Sequence, residues 1–180
     1  MRLHGFPPII AQDAWLLILG SFPSTASLEC GMYYGHGRNH FWPILARICK
    51  ASVPVSIDEK RALLTAGQLA LWDLVASCER IGSLDQNIME PVLNDITGLV
   101  AAHTAIVRIL LNGSLAAELF YRKILGHRGA LPPIGSIRTW EGPQKRVISV
   151  YRLPSTSPVP TKQFRRLEDK LTLWERAILE

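Results

Sequence analysis

The sequence predicts an α/β fold on a mostly parallel sheet, and three observations predict it. Strand-sized apolar runs alternate with segments of helical period, the pattern of a sheet whose crossovers are helices. Three of the four runs end in small, polar, turn-forming residues. The composition, 48% hydrophobic and 19% charged, is that of a globular chain. A chain of 180 residues buries roughly 70% of its unfolded surface, and residues 1–180 read as one domain without internal repeats.

The first run is Leu16-Leu17-Ile18-Leu19, closing in Gly20-Ser21-Phe22-Pro23-Ser24. Phe41 to Cys49 puts Phe41, Ile44, Leu45 and Ile48 on one helical face. Asp58 to Ala66 reads as a helix with an acidic cap at Asp58. Leu69 to Asp73 is the second strand, and Asn94 to His103 another helix. Ala105 to Leu111 is the third strand, closing in Asn112-Gly113-Ser114, with a helix from Ser114 to Leu125. Arg128 to Lys145 holds Pro132-Pro133 and Gly135 and reads as a surface loop. Arg146 to Tyr151 is the fourth strand and runs on to Leu153-Pro154-Ser155-Thr156-Ser157-Pro158. Thr161 to Leu179 carries Phe164, Leu167, Leu171 and Trp174 at helical spacing, a cover for the sheet.

Ligands of open parallel sheets bind beyond the carboxyl ends of the strands. The small and polar residues gathered at three such ends predict one pocket of backbone amides and hydroxyls, suited to a phosphate-bearing or heterocyclic ligand. Net charge is +5, and residues 122–170 hold eleven Lys/Arg against three Asp/Glu, so the rest is slightly acidic. A basic half fits a polyanion, because each phosphate contact releases counterions, and it fits a merely solvated surface equally well.

Several chemistries are excluded. No apolar run reaches the ~18 residues of a membrane span, and the first residues lack a signal-peptide core, so the chain reads as cytosolic. Three scattered cysteines, Cys30, Cys49 and Cys78, make neither a disulfide framework nor a metal knuckle. The five histidines form no metal motif, and no metal or cofactor is expected. Gly20 to Thr25 lacks the lysine of a P-loop and the glycines of a dinucleotide fingerprint. A glycosidase acting on sugars needs two carboxylates, and the turn motifs after the strands contain none. A nucleobase needs less to leave: a flat apolar surface, amide groups for its edge and donors for the flanking phosphates. Tyr33-Tyr34-Gly35-His36-Gly37-Arg38-Asn39-His40-Phe41-Trp42 offers those parts together.

That segment, with Gly5-Phe6-Pro7-Pro8-Ile9, Gly20 to Ser24, Leu71 to Cys78, Asn112-Gly113-Ser114 and Leu153 to Pro158, resembles the hypoxanthine-DNA glycosylase branch of the uracil-DNA glycosylase superfamily. The matches run in order from residue 5 to residue 158. The resemblance implies a three-layer α/β/α sandwich with a short, mostly parallel central sheet of about four strands. It implies a monofunctional hydrolase of N-glycosidic bonds that acts on deaminated bases in DNA (hypoxanthine, with uracil or xanthine as further candidates) in base excision repair. It calls for no cofactor and no obligate protein partner. Asn39 would be the catalytic amide, or alternatively the cap of the helix from Phe41. Phe22 stands where many relatives carry Asp or Asn; it cannot activate water and is either pocket wall or core. Phe41 would stack on the flipped base, with core packing as the alternative, and Tyr34 would close the other side. Asn112 would read the base edge or merely form its Asn-Gly turn. Ser21, Ser24, Ser155, Thr156 and Ser157 would bind DNA phosphates, and Arg152 or Leu153 would wedge into the duplex. Leu153 replaces a histidine common in uracil enzymes, and Gly37 a frequent proline. Two rival readings share these features: a non-catalytic DNA-binding module with the same fold, and a hydrolase of free nucleosides.

Overall fold

A computed structural model describes residues 1–159 and 161–180. Nine strands and six helices follow one another: β1 (Arg2–His4), β2 (Ile9–Ile10), β3 (Leu16–Gly20), α1 (Thr25–Cys30), α2 (Phe41–Ile48), α3 (Ile57–Ala66), β4 (Leu69–Asp73), β5 (Val75–Glu79), β6 (Met89–Leu93), α4 (Ile96–Ala102), β7 (Arg108–Asn112), α5 (Ser114–Leu119), β8 (Ile137–Glu141), β9 (Val147–Leu153) and α6 (Leu167–Leu179). The main sheet runs β2-β4-β3-β7-β9-β8. Its four central strands are parallel and are the four read from the sequence. β2 and β8 close the edges antiparallel.

Successive residues of β3 face opposite ways, as the two-residue period of a strand requires. Leu17 and Leu19 join a core shared with α4 and α5. Leu16 and Ile18 join a core shared with α2, α3 and α6. With both faces covered, all five residues of β3 are buried, and the strand reads as one apolar run. This is the three-layer α/β/α architecture. Trp174 of α6 is 1% exposed and rests edge-on against Phe41 of α2 at 6.1 Å, binding two helices of one layer together.

Several boundaries differ from expectation. α3 begins one residue early, because Ser56 rather than Asp58 caps it in a reciprocal box with Glu59. α6 starts at Leu167, not Thr161; Asp169 accepts the backbone N–H groups of Arg165 and Arg166 there. The helix from Ser114 widens into a π turn over Phe120–Ile124. β8 lies inside the segment read as a loop, since its residues are mostly exposed and show no alternation. A second sheet, β1-β5-β6, is antiparallel and stands apart from the main one. It forms because β5 follows β4 after Leu74 alone, with no turn signal between them.

In register, Gly20 of β3 lies beside Asp73 of β4, and Asn112 of β7 beside Leu153 of β9. Four carboxyl ends therefore emerge on one edge of the sheet. None of the described helices is long and apolar enough to cross a membrane.

Candidate active site

A cavity of about 680 Å³ opens at that edge, within the range of small-molecule sites. Gly20, Asp73 and Asn112 line it from the strand ends, Phe22 and Tyr34 from the loops, and Ser155 to Ser157 from the loop after β9. Gly20 has a steric reason: a Cβ there would collide with the Asp73 carboxylate and come within 3.0 Å of the Tyr34 hydroxyl. Gly113 has another. Its φ is +99°, a region L residues rarely adopt, and an added Cβ would stand 3.1 Å from the Ser155 Cβ.

The loop 154–157 is held from every side. The Asn112 amide accepts the Thr156 backbone N–H at 2.9 Å and donates to the Thr156 hydroxyl at 3.0 Å. The His40 backbone N–H donates to the Thr156 carbonyl at 2.9 Å. From α6, the Trp174 indole donates to the Pro154 carbonyl at 3.1 Å and the buried Lys170 ammonium to the Ser157 carbonyl at 2.9 Å. Burial first, and Asp169 in the opposite sense, set the Lys170 pKa, which ends below its ordinary value.

The Asn39 side-chain oxygen accepts the Phe41 backbone N–H at 2.9 Å. This bond closes the turn that leads into α2, whose N-cap is His40 without a side-chain cap bond, and the amide NH2 is the part left to act. Asn39 lines both the main cavity and an adjoining groove of about 350 Å³ that also includes Arg38, His40 and Arg165. His40 is held below its ordinary pKa, by burial first and then by Lys170.

The aromatic rings are arranged differently from the sequence reading. Phe41 is 1% exposed and does not line the cavity. The Tyr34 ring lies over it at 4.0 Å, nearly parallel. Of these two rings it is Tyr34 that lines the cavity, in a left-handed backbone conformation with φ +52°, a strained position for a bulky residue. Phe22 is both wall and core: it lines the cavity, is 7% exposed and carries the Arg80 guanidinium 5.0 Å from its ring centre.

The floor holds an acid that the sequence reading passed over. Asp73 is 3% exposed, and its Oδ2 has no hydrogen-bond partner among the described residues. Burial first, then the nearby Asp85, push its pKa up to about 8; Arg80 offsets part of this. Desolvation, with Asp73 second, also raises Tyr33 and Tyr34 well above their ordinary range. Asp85 sits at the exposed rim and accepts the Ser21 hydroxyl at 2.7 Å. Among the described residues, no three His, Cys, Asp or Glu side chains cluster as a metal site.

No protein-family profile matches the chain. Two curated relatives do. A protein of Methanosarcina barkeri named hypoxanthine DNA glycosylase is 31% identical over 130 residues, spanning 72% of this chain and 81% of the relative. One of Methanosarcina acetivorans with the same name is 31% identical over 119 residues, 66% of this chain and 75% of the relative. The chain belongs to the hypoxanthine DNA glycosylase family. A solution NMR structure of a candidate uracil DNA glycosylase from M. acetivorans shares its fold, with a TM-score of 0.74 at 25% identity over 99% of this chain and 97% of that one.

Within this glycosylase framework the phosphate and wedge residues separate. Ser155 and Ser157 each accept a backbone N–H, from Ser157 and Val159, and keep a hydroxyl proton to donate. Thr156 is 1% exposed and engaged with Asn112, so it positions the loop. Ser24 caps α1 by accepting the Ser27 N–H, and Ser21 is turned to a carboxylate, a poor neighbour for phosphate. Leu153 is 2% exposed in the core, and Arg152 donates to the Pro132 carbonyl. Neither projects as a wedge, because β9 runs two residues past Tyr151. The exposed apolar side chains that line the cavity's rim are Leu84 and Val159.

Proposed function

We propose that this glycosylase removes hypoxanthine from deoxyinosine in DNA, with Asn39 as the catalytic amide. The observation that carries the reading is the Asn39 NH2, without a partner among the described residues on the wall of a base-sized cavity, while its oxygen is fixed by the Phe41 N–H. The amide orients a water whose oxygen bonds to the sugar carbon as the C–N bond breaks. The base departs with the electron pair, and the proton released by the water passes to solvent. Hydrogen bonds aimed at the oxocarbenium-like transition state supply the acceleration. Tyr34 provides the stacking surface for the flipped base. Ser155 and Ser157 grip the flanking phosphates. Uracil and xanthine share the carbonyl-rich edge of hypoxanthine and are secondary substrates.

The test is a deoxyinosine duplex incubated with EDTA-treated protein and scored for abasic sites. The expected outcome is cleavage after alkali, falling at least about a hundredfold in Asn39→Ala while stability drops by no more than about 0.5–1.5 kcal/mol, the worth of its lost bond to the Phe41 N–H. The engaged oxygen of Asn39 favours one rival, a DNA-binding module in which this residue only holds the turn into α2. Lesion binding without release of hypoxanthine, uracil or xanthine would establish that rival.

A further inference from the structure

Polar groups from the strand ends, the loop before α2 and the rim meet in the cavity, and two of them are unpaired. The Asn112 amide accepts from and donates to Thr156, and the Asp85 carboxylate at the rim holds Ser21. The Asp73 Oδ2 and the Tyr34 hydroxyl have no partner among the described residues. The Asp73 backbone carbonyl accepts the Asn94 side-chain amide at 2.8 Å, and the carboxyl lies in the space that Gly20 leaves by having no Cβ. Buried polar groups are nearly always paired. A buried, unpaired carboxyl in the lining of a ligand cavity is therefore poised for a partner the ligand brings.

Its surroundings decide which form it takes. From the rim it faces Asp85, from the segment after β5 Arg80, and from the loop before α2 Tyr33 and Tyr34. Glu118 of α5 lines the same cavity. Arg80 is the one cation among these, and its guanidinium donates to the Pro23 carbonyl over the Phe22 ring. We propose that Asp73 reads the edge of the flipped base as a neutral carboxylic acid, donating from one oxygen and accepting at the other. Hypoxanthine, xanthine and uracil each carry a ring N–H beside a carbonyl, and that pair matches the acid's acceptor and donor. The departing base accumulates negative charge on that carbonyl. A neutral donor stabilises it there, whereas a carboxylate would oppose departure. The buried position keeps the proton in place at neutral pH, with a pKa near 8.

This assignment rests on the glycosylase reading, and two measurements separate them. The first is single-turnover release of hypoxanthine between about pH 5.5 and 9.5 for the wild type, Asp73→Asn and Asp73→Ala, with melting temperatures as the folding control. The wild-type rate falls about tenfold per pH unit above about 8. Asp73→Asn, which keeps a donor and an acceptor but cannot ionise, is slower by about three- to tenfold at pH 7 and lacks the alkaline fall. Asp73→Ala is slower by about a hundredfold. A wild-type rate that climbs with pH, with Asp73→Asn as inactive as Asp73→Ala, would make Asp73 a general base and overturn the proposal. The second measurement is binding of free hypoxanthine by calorimetry, which weakens above about pH 8 in the wild type and not in Asp73→Asn. If no base is released yet this binding persists, the glycosylase reading alone falls. If release persists but Asp73→Asn changes neither profile, Asp73 is not the reader.

Discussion

The two loops that flank the cavity are built in opposite ways. Residues 154–157 are tied to β7 and to α6 by side chains that are themselves buried, Asn112, Lys170 and Trp174, and to the backbone N–H of His40 ahead of α2. Residues 83–86 across the cavity are exposed, and their ties are short surface bonds: Ser83 to Thr25, and Asp85 to Ser21. Hydrogen bonds to buried partners are costly to break, whereas exposed ones exchange with water at little net cost. The difference teaches a division of labour. The fixed side gives the cavity a wall of set shape, and in the proposed function that wall is the one that places the phosphates, while the open side is the one free to adapt.

Substitutions on the two sides should expose that contrast. Trp174→Ala removes the prop beneath Pro154 and empties a core site, so it should cost about 3–5 kcal/mol in a denaturant titration and weaken DNA binding with it. Thr156→Val leaves the Asn112 NH2 without its hydroxyl acceptor and should cost about 1–3 kcal/mol, with a matching fall in excision. Asp73→Asn should do the reverse. Its folded pKa near 8 exceeds the unfolded value of about 3.9, so between these values the native wild type holds a proton the unfolded chain lacks, and stability declines as pH rises through that window. The variant's melting temperature should therefore exceed the wild type's by a margin that widens from about pH 4 to about pH 8. Ser83→Ala, on the open side, should stay within about 0.5 kcal/mol of the parent; a larger loss would show that this loop is as fixed as its counterpart.

Much of this was legible in the chain. β3, β4, β7 and β9 announce themselves because both faces are buried and the apolar runs are unbroken. The strand ends announce the cavity, and Asn39 falls on its wall as expected. β8 is silent because exposed residues such as Arg138 and Glu141 carry no apolar period. Asp73 reads as the end of the second strand but not as a cavity residue, because Leu74 and Val75 follow at once where the other strands turn into small polar residues. The place of Phe41 could not be read, since it depends on Tyr34 turning back with a positive φ to cover it. Arg152 and Leu153 lost the wedge role through nothing more than two extra residues of strand.

The dependence of residues 154–157 on α6 has a consequence in time. A chain growing from its amino end completes β3, β4, β7 and β9, and with them Asn39 and Asp73, before residues 170 and 174 exist. The wall of residues 154–157 is therefore completed last. A nascent chain stalled ahead of residue 167 would display a cavity whose wall lacks the Lys170 and Trp174 bonds.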